Sequence, residues 1–248
     1  MAADSVKKTR RGRRVLLWLG LALLLTAAAF LLYAADYYRA DETALDALRS
    51  DGTVRVTRTG YGWLFDGPSE TDALIFYPGG KVEETAYAPL LRRIAAGGTD
   101  VCLVKMPLRL AVLAPGRAAK VMAEQSYENW TIGGHSLGGA MAAVYAAGHP
   151  EQLRGLVLLA AYPTRALDPG LKVISAVGSE DGVIDREKLA AGEQYLPEDV
   201  QLCVIPGGNH AQFGSYGPQR GDGEALISPE EQWARTAALL RELPAKAA

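Results

Sequence analysis

Ser136 is the residue whose type and setting most directly indicate chemistry. It lies between Gly134 and Gly138 in the run Trp130-Thr-Ile-Gly-Gly-His-Ser-Leu-Gly-Gly139, with an alanine-rich helical stretch after it. A serine flanked in this way at a strand-to-helix turn exposes its hydroxyl above a sheet, because glycines leave room for the strained turn. The pattern predicts a nucleophile, and a glycine-rich turn with an inert serine is the alternative.

A serine hydroxyl needs a neighbouring base to take its proton, and the chain has only three histidines. His135 adjoins the serine in the chain, where its side chain cannot easily fold back onto the hydroxyl. His149 comes at the end of the helix that follows the serine. His210 remains, in a loop directly after the last predicted strand. Elimination therefore predicts His210 as the general base, and a plain surface histidine is the alternative.

The base needs a carboxylate that fixes its tautomer and stabilises the imidazolium. Asp181 lies in a tight turn after an apolar run, at the sheet edge predicted for the serine. The chain order serine, aspartate, histidine is one that a large group of serine hydrolases uses. We predict Asp181 as the acid, with Glu180 as the second choice and Asp222 as the third.

The tetrahedral intermediate of acyl transfer needs two hydrogen-bond donors for its oxyanion. The backbone N–H of Leu137, directly after the nucleophile, is the first predicted donor. The second is predicted in the loop Tyr77-Pro-Gly-Gly-Lys81, which follows an apolar strand. Gly80 is the preferred donor there, and Lys81 is the alternative.

Short apolar runs alternate with amphipathic helical segments from residue 53 onward. The predicted strands are 53–57, 63–65, 73–77, 102–104, 130–133, 156–160, 173–177 and 201–205. The last helix is predicted to begin with a capping box and a proline at Ser228-Pro-Glu-Glu231. This alternation predicts the α/β class, with a doubly wound, mostly parallel sheet. Residues 162–170 are too few for a helical cap, so we expect an open, shallow pocket.

The N-terminus has the pattern of a membrane anchor. Six lysines and arginines precede an uninterrupted apolar stretch long enough to span a bilayer. We predict a basic cytoplasmic tail (1–14), a transmembrane helix (15–35), a juxtamembrane stalk (36–51) and a catalytic domain on the extracytoplasmic side (52–248). A cleaved signal peptide, which would give a secreted protein, is the alternative.

Composition narrows the classes of ligand. The formal net charge of −2 and the lack of a basic stripe beyond the N-terminus predict no nucleic-acid partner. The histidines and the two cysteines lack metal-ligand spacing, and no phosphate loop or dinucleotide fingerprint occurs. We therefore expect no metal and no cofactor. The bilayer and a small ester-like molecule are the predicted partners, and the oligomeric state is left open.

Four segments together resemble α/β-hydrolases, specifically the small lidless bacterial group called α/β-hydrolase fold-5. They are Phe76-Tyr-Pro-Gly-Gly-Lys-Val82, Gly134-His-Ser-Leu-Gly-Gly139, Gly178-Ser-Glu-Asp-Gly182 and Gly208-Asn-His210. The resemblance implies a serine hydrolase with Ser136 as nucleophile, Asp181 as acid and His210 as base. The chain departs from many esterases in having no His-Gly-Gly-Gly loop, which bears on the second oxyanion donor.

The predicted activity is that of a membrane-anchored carboxylesterase that cleaves small acyl esters through an acyl-enzyme. Thioester and amide substrates stay open at this point. The alternative is a non-catalytic α/β-hydrolase-like binding or scaffold domain tethered to the membrane. Lys81, Lys105 and Arg109 follow strand ends on the same side of the sheet, and one hypothesis is that they form a cationic rim for anionic substrates.

Overall fold

The computed structural model describes residues 2–241, which form two units that divide between Tyr37 and Tyr38. Met1 and residues 242–248, which belong to the predicted tail and the predicted catalytic domain, lie outside the described residues. The first unit is helix α1, Ala2–Ala35. Its segment Leu16–Ala35 is long and apolar enough to cross a membrane, and an N-terminal signal sequence has the same properties.

The second unit is built on one eight-stranded sheet with the order β1-β2-β4-β3-β5-β6-β7-β8. Strands β1 and β2 form an antiparallel hairpin, β2 also pairs antiparallel with β4, and all the other pairs are parallel. The predicted mostly parallel sheet is therefore confirmed. The strands are β1 Arg55–Arg58, β2 Gly62–Asp66, β3 Asp72–Tyr77, β4 Asp100–Val104, β5 Asn129–His135, β6 Gly155–Leu159, β7 Lys172–Gly178 and β8 Gln201–Ile205.

Helices cover both faces of this sheet. They are α2 Glu42–Asp46, α3 Ala88–Ala96, α4 Arg117–Glu124, α5 Leu137–Gly148, α6 Arg186–Gly192 and α7 Pro229–Arg241. Side chains alternate between the two faces of a strand, so β3 supplies both cores. Leu74 and Phe76 pack in the core that α3 and α7 cover, while Ile75 packs in the core that α4 and α5 cover.

Part of the segment predicted as the juxtamembrane stalk (36–51) makes hydrogen bonds with loops of the second unit. Tyr38 pairs with Val82 in an isolated parallel bridge, and its N–H donates to the carbonyl of Lys81 at 2.8 Å. Asp41 caps α2 and also accepts hydrogen bonds from the Ser215 hydroxyl. Residues from Tyr38 onward therefore pack onto the second unit, because their polar groups find partners on loops that are distant in sequence.

The connection between β6 and β7 decides how open the sheet edge is. Residues 160–171, all described, contain no helix. The expected absence of a helical cap at this position therefore agrees with the structure. The carboxyl ends of the parallel strands, where such sheets bind their ligands, are left without a covering insertion there.

Candidate active site

Ser136 sits at a strained turn between β5 and α5. Its backbone has φ 52° and ψ −123°, and left-handed φ values are unfavourable for residues with a side chain. The turn is held by hydrogen bonds from Ser136 N–H to the carbonyl of Leu159 at 2.9 Å and from Ala140 N–H to the carbonyl of Ser136 at 3.0 Å. A strained serine at the carboxyl end of a central strand has the backbone geometry of a nucleophile elbow.

The two glycines around the serine are required by close packing. A Cβ atom on Gly138 would lie 2.2 Å from the carbonyl oxygen of Tyr77, and one on Gly134 would lie 2.5 Å from the same oxygen. Both distances are shorter than any real contact, so only glycine lets the elbow approach the end of β3. The pattern of glycines in the sequence therefore reflects a steric requirement of this turn.

Asp181 and His210 are joined by a hydrogen bond in the protein interior. Nδ1 of His210 lies 2.9 Å from Oδ2 of Asp181, and both side chains are buried. The other carboxylate oxygen of Asp181 accepts from the N–H groups of Val183 at 2.9 Å and Ile184 at 2.8 Å. Both oxygens of this carboxylate are thus engaged, which fixes its orientation toward the imidazole.

The same contacts set the ionisation of this carboxyl. Burial raises the pKa of Asp181, but the hydrogen bond and the charge of His210, together with the backbone donors, more than offset it. The net result is a pKa below the ordinary value. Asp181 is therefore a carboxylate at neutral pH, which is the form that can hold the Nδ1–H tautomer and stabilise an imidazolium.

The remaining nitrogen of His210 is Nε2, which is buried and makes no hydrogen bond with any described residue, Ser136 included. Serine and base are often loosely joined when no substrate is bound, and the contact tightens in the reacting complex. The imidazole of His210 lies against that of His135, with ring centroids 4.4 Å apart. The loop of residues 206–213 carries His210 and is here called the base loop, after the role predicted for that residue. Because His135 adjoins Ser136 in the chain, the base loop lies beside the elbow.

The two weaker candidates for the acid have other partners. Oε1 of Glu180 accepts from the hydroxyl of Ser179, and the residue is only partly buried at the surface. Asp222 accepts backbone hydrogen bonds from Gly182 at 3.1 Å, His210 at 3.2 Å and Ala211 at 2.8 Å. Among the described residues, Asp181 is thus the carboxylate that contacts the imidazole. Asp222 is hydrogen-bonded both to the turn 178–182 that carries Asp181, here called the acid turn, and to the base loop.

Sequence reasoning missed a second support of the base loop. Gln232, fully buried on α7, accepts from the N–H of Asn209 at 3.0 Å and donates to its carbonyl at 2.8 Å. A side-chain amide here replaces the two partners that a neighbouring strand would give this backbone. The residue before His210 is thereby fixed. A glutamine in an amphipathic helix gives no sequence signal of this role.

The predicted oxyanion donors lie next to each other. A Cβ atom on Gly80 would lie 2.9 Å from Cδ2 of Leu137, so the glycine loop packs against the start of α5. Among residues 2–241, no hydrogen bond engages the N–H of either Gly80 or Leu137. The N–H of Lys81, the alternative donor, instead donates to the carbonyl of Arg109 at 3.0 Å. The geometry therefore favours Gly80 over Lys81.

A buried Tyr–His pair supports this glycine loop. The hydroxyl of Tyr87 accepts from the N–H of Gly79 at 3.0 Å and lies 2.8 Å from Nδ1 of His135. A hydroxyl that accepts from the glycine still has its own proton, which the Nδ1 atom of a neutral imidazole can accept. Burial and the charge of His210 lower the pKa of His135 well below the ordinary value. His135 is therefore a neutral structural group.

His149 is not brought to this centre, and Lys105 is engaged in an ion pair. His149 ends α5, where Nδ1 contacts the carbonyl of Tyr145 at 3.0 Å and the ring stacks on that tyrosine. Nζ of Lys105 lies 3.8 Å from Oε1 of Glu84, so part of its charge is neutralised. That ion pair weakens the hypothesis of a cationic rim.

The sheet order, the elbow at the end of β5 and the uncovered sheet edge define an α/β-hydrolase fold. The sequence profile of the Alpha/beta hydrolase family matches residues 73–234, more than half of the chain. The chain belongs to this family, which confirms the resemblance seen in the sequence and makes the protein a hydrolase of α/β fold. A search of curated protein sequences gives no significant match.

Solved structures agree on the fold at low sequence identity. A dienelactone hydrolase from Anabaena variabilis is 15% identical with a TM-score of 0.55, covering 77% of this chain and 97% of its own. A bacterial membrane phospholipase A is 15% identical with a TM-score of 0.57, covering 91% and 97%. Est1E from Butyrivibrio proteoclasticus is 13% identical with a TM-score of 0.53, covering 77% and 99%. At these identities the likeness extends to the fold alone.

Proposed function

We propose that the chain is a membrane-anchored serine hydrolase, most simply a carboxylesterase that cleaves small acyl esters. Ser136 is the nucleophile, His210 the base and Asp181 the acid. The observation that carries this proposal is the buried hydrogen bond of 2.9 Å between His210 and Asp181, which leaves Nε2 of His210 without a partner beside a strained serine. A domain used only for binding has no need of this combination.

In the acylation half of the reaction, Oγ of Ser136 attacks the ester carbonyl carbon while Nε2 of His210 takes the hydroxyl proton. The carbonyl oxygen becomes an oxyanion, which accepts hydrogen bonds from the N–H groups of Leu137 and Gly80. Collapse of the intermediate breaks the bond to the alcohol, which leaves with the proton from His210. Asp181 stays ionised and stabilises the imidazolium between these two transfers.

In the deacylation half, a water molecule replaces the alcohol. Nε2 of His210 takes a proton from this water as it attacks the acyl carbon, and the same two N–H groups again bind the oxyanion. Collapse releases the carboxylic acid and returns the proton to Oγ of Ser136. Atoms and charges balance over the cycle, in which ester and water give acid and alcohol.

The proposed substrate class follows from the open sheet edge. With no helix in residues 160–171, this connection offers no cap to enclose a long chain. Small or protruding acyl groups suit such a site. The proposed anchor is the apolar segment Leu16–Ala35, with the basic residues before it on the cytoplasmic side.

The proposal is tested by labelling the full chain in detergent with a fluorophosphonate, which reacts with activated serines. Labelling should be lost in both Ser136→Ala and His210→Ala, and ester hydrolysis should fall by roughly 10⁶-fold in the serine variant. Ser50→Ala, at an exposed serine before β1, is the matched control and should label like the wild type. Equal labelling of the wild type and Ser136→Ala would refute the enzyme and favour a binding domain.

A further inference from the structure

The loop between β4 and α4 exposes apolar side chains beside the candidate site. Leu108, Val112 and Leu113, here called the apolar tip, are 39%, 54% and 48% exposed. Single exposed apolar residues are ordinary on a protein surface, but three within six positions form a patch. Outside α1, the other large apolar residues of the described chain that are this exposed are Leu45, Leu202, Val204 and Leu226.

The backbone of this loop holds the tip in an unfavourable conformation. Leu108 has φ 49° and Arg109 has φ 59°, so two successive residues with side chains are left-handed. Three-residue 3₁₀ turns at Pro107–Arg109 and Ala111–Leu113 then set the positions of the tip side chains. Strain of this kind persists where the surrounding structure fixes it, and it is concentrated at functional segments.

The loop is joined to the candidate active site on two sides. The carbonyl of Arg109 accepts from the N–H of Lys81, the residue after the proposed oxyanion donor Gly80. The turn Ala111–Leu113 also contacts helix α5, which begins at the elbow. The apolar tip therefore lies on the edge of the sheet where the ester would be cleaved.

The chain enters the hydrolase unit at this same edge. Tyr38 bridges to Val82, donates its N–H to the carbonyl of Lys81 and accepts at its own carbonyl from Glu83 at 2.9 Å. Helix α1 ends at Ala35, three residues earlier. Three residues of chain can span at most about 11 Å. The connection in the chain from the end of α1 to the backbone bridge at Tyr38 is thus short.

Cationic side chains accompany the apolar tip. Arg58, Lys105 and Arg117 line a cleft of about 560 Å³ that Leu108 also borders. Two glutamates share this cleft: Glu84 pairs with Lys105 and partly neutralises it, and Glu83 accepts from the N–H of Ala40. Three cations against two carboxylates leave the lining of the cleft with one net positive charge, which Arg58 and Arg117 supply. Apolar side chains next to lysine and arginine are the combination that binds the interface of an anionic bilayer.

We propose that the apolar tip inserts into the interface of the bilayer that α1 crosses, and that the substrates are amphiphilic acyl esters taken from that bilayer. This inference rests on the proposed function, since it assigns a substrate class to the same site. Docking at the tip turns the open sheet edge toward the lipid. An ester that protrudes from the membrane then reaches Ser136 without leaving the interface.

The test uses the full chain reconstituted in phosphatidylcholine vesicles that contain phosphatidylglycerol. The tip variant, Val112→Ser/Leu113→Ser, replaces two of the three apolar side chains of the tip. The control, Leu202→Ser/Val204→Ser, makes the same changes on the edge strand β8, where the residues are 56% and 62% exposed. Two esters are compared: water-soluble p-nitrophenyl acetate and 4-methylumbelliferyl oleate dissolved in the vesicles.

The tip variant should hydrolyse the soluble ester within about twofold of the wild type and the vesicle-borne ester at least about fivefold more slowly. The β8 variant should match the wild type on both. Unchanged hydrolysis of the oleate by the tip variant would overturn the proposal. An equal loss of oleate hydrolysis in the tip variant and the β8 variant would also overturn it, because the loss would then not depend on where the apolar residues lie.

A second readout does not depend on hydrolysis. Val112→Cys, made in a Cys203→Ser background and labelled with an environment-sensitive fluorophore, should be quenched by nitroxide lipids in the vesicle. Val204→Cys should not be quenched. Absence of quenching at position 112 would refute lipid docking. A fluorescence change that depends on protein concentration alone would also refute it and would favour a second copy of the chain as the partner. Suppose that the fluorophore at position 112 is quenched but the wild-type protein hydrolyses neither ester. This result would support docking and refute the proposed function.

Discussion

Asp222→Asn tests how the acid turn and the base loop are held together. Oδ1 of Asp222 accepts from the N–H groups of Gly182, His210 and Gly223, and Oδ2 accepts from the N–H of Ala211. An asparagine keeps one acceptor oxygen and replaces the other with an NH₂ donor. The amide orientation that loses least keeps the three bonds at Oδ1 and turns its NH₂ toward the N–H of Ala211, where two donors then oppose each other.

The expected loss is that of one charge-assisted hydrogen bond, with a buried N–H left unpaired. This amounts to about 2 kcal/mol in the free energy of unfolding, or roughly 4–8 °C in melting temperature for a domain of this size. The effect on turnover is larger, because His210 and Ala211 are the residues that move. Displacing a catalytic group by about 1 Å can cost on the order of 10²-fold, so kcat should fall by about 10–100-fold.

The assay compares kcat, KM and thermal unfolding well below the melting temperature, so that unfolded protein does not contribute. Asp185→Asn is the matched control, since its side chain caps α6 through the N–H of Lys188 and touches neither loop. The control should retain kcat. A destabilised Asp222→Asn with unchanged kcat would show that this carboxylate has only a structural role and would refute the positioning argument.

Three further variants address the other parts of the site. Gly80→Ala brings a Cβ against Leu137 and shifts the proposed donor, so kcat should fall by roughly 10²-fold in an ester assay. Asp181→Asn should lower kcat by about 10⁴-fold. Because folding lowers the pKa of Asp181, the ionised carboxylate stabilises the folded protein above the ordinary carboxyl pKa, and this stabilisation is lost as the pH falls through the pKa of the folded state. The difference in free energy of unfolding between Asp181→Asn and the wild type should therefore become smaller below about pH 4. Tyr87→Phe leaves Gly79 N–H without its acceptor and should cost about 1–3 kcal/mol in chemical unfolding.

Each of these variants has a control on the chain. Gly52→Ala adds a Cβ in open space and should be silent. Glu180→Gln changes the neighbouring carboxylate, which does not contact the imidazole, and should keep full turnover. Tyr145→Phe removes a hydroxyl on α5 that donates to the exposed side chain of Gln152, so no buried backbone group loses its acceptor and the variant should cost less. If the glycine, aspartate or tyrosine variants behave like these controls, the corresponding contact has no part in the site.

The sequence was sufficient for the fold because the relevant signals are local. Apolar runs broken by glycine and proline predict the strands, and Ser136 between two glycines predicts the sharp turn that the structure shows. Helices lie between β3 and β4 and between β5 and β6, where the pattern predicts a parallel arrangement, and β6 and β7 are parallel with no helix in the described residues 160–171 between them. The carboxyl ends of these strands share one edge, which makes Asp181 and His210 meet although many residues separate them.

The supports of the site could not be predicted in this way. Gln232 reaches the base loop because α7 packs across the sheet, and Tyr87 reaches Gly79 from a turn that gives no polar signal. Tyr38, in the segment predicted as a stalk, pairs with Val82 directly after the glycine loop 77–81. All of these contacts depend on which loops become neighbours, and that is decided by tertiary packing.

The most direct test of the account is to trap the covalent intermediate on the proposed nucleophile. Rapid mixing of the full chain with p-nitrophenyl acetate should release a burst of nitrophenolate close to one equivalent per protein. Acid quenching and peptide mass analysis should then find the acetyl group on Ser136. An acetyl group on any other residue, or a burst that persists in Ser136→Ala, would contradict the central claim.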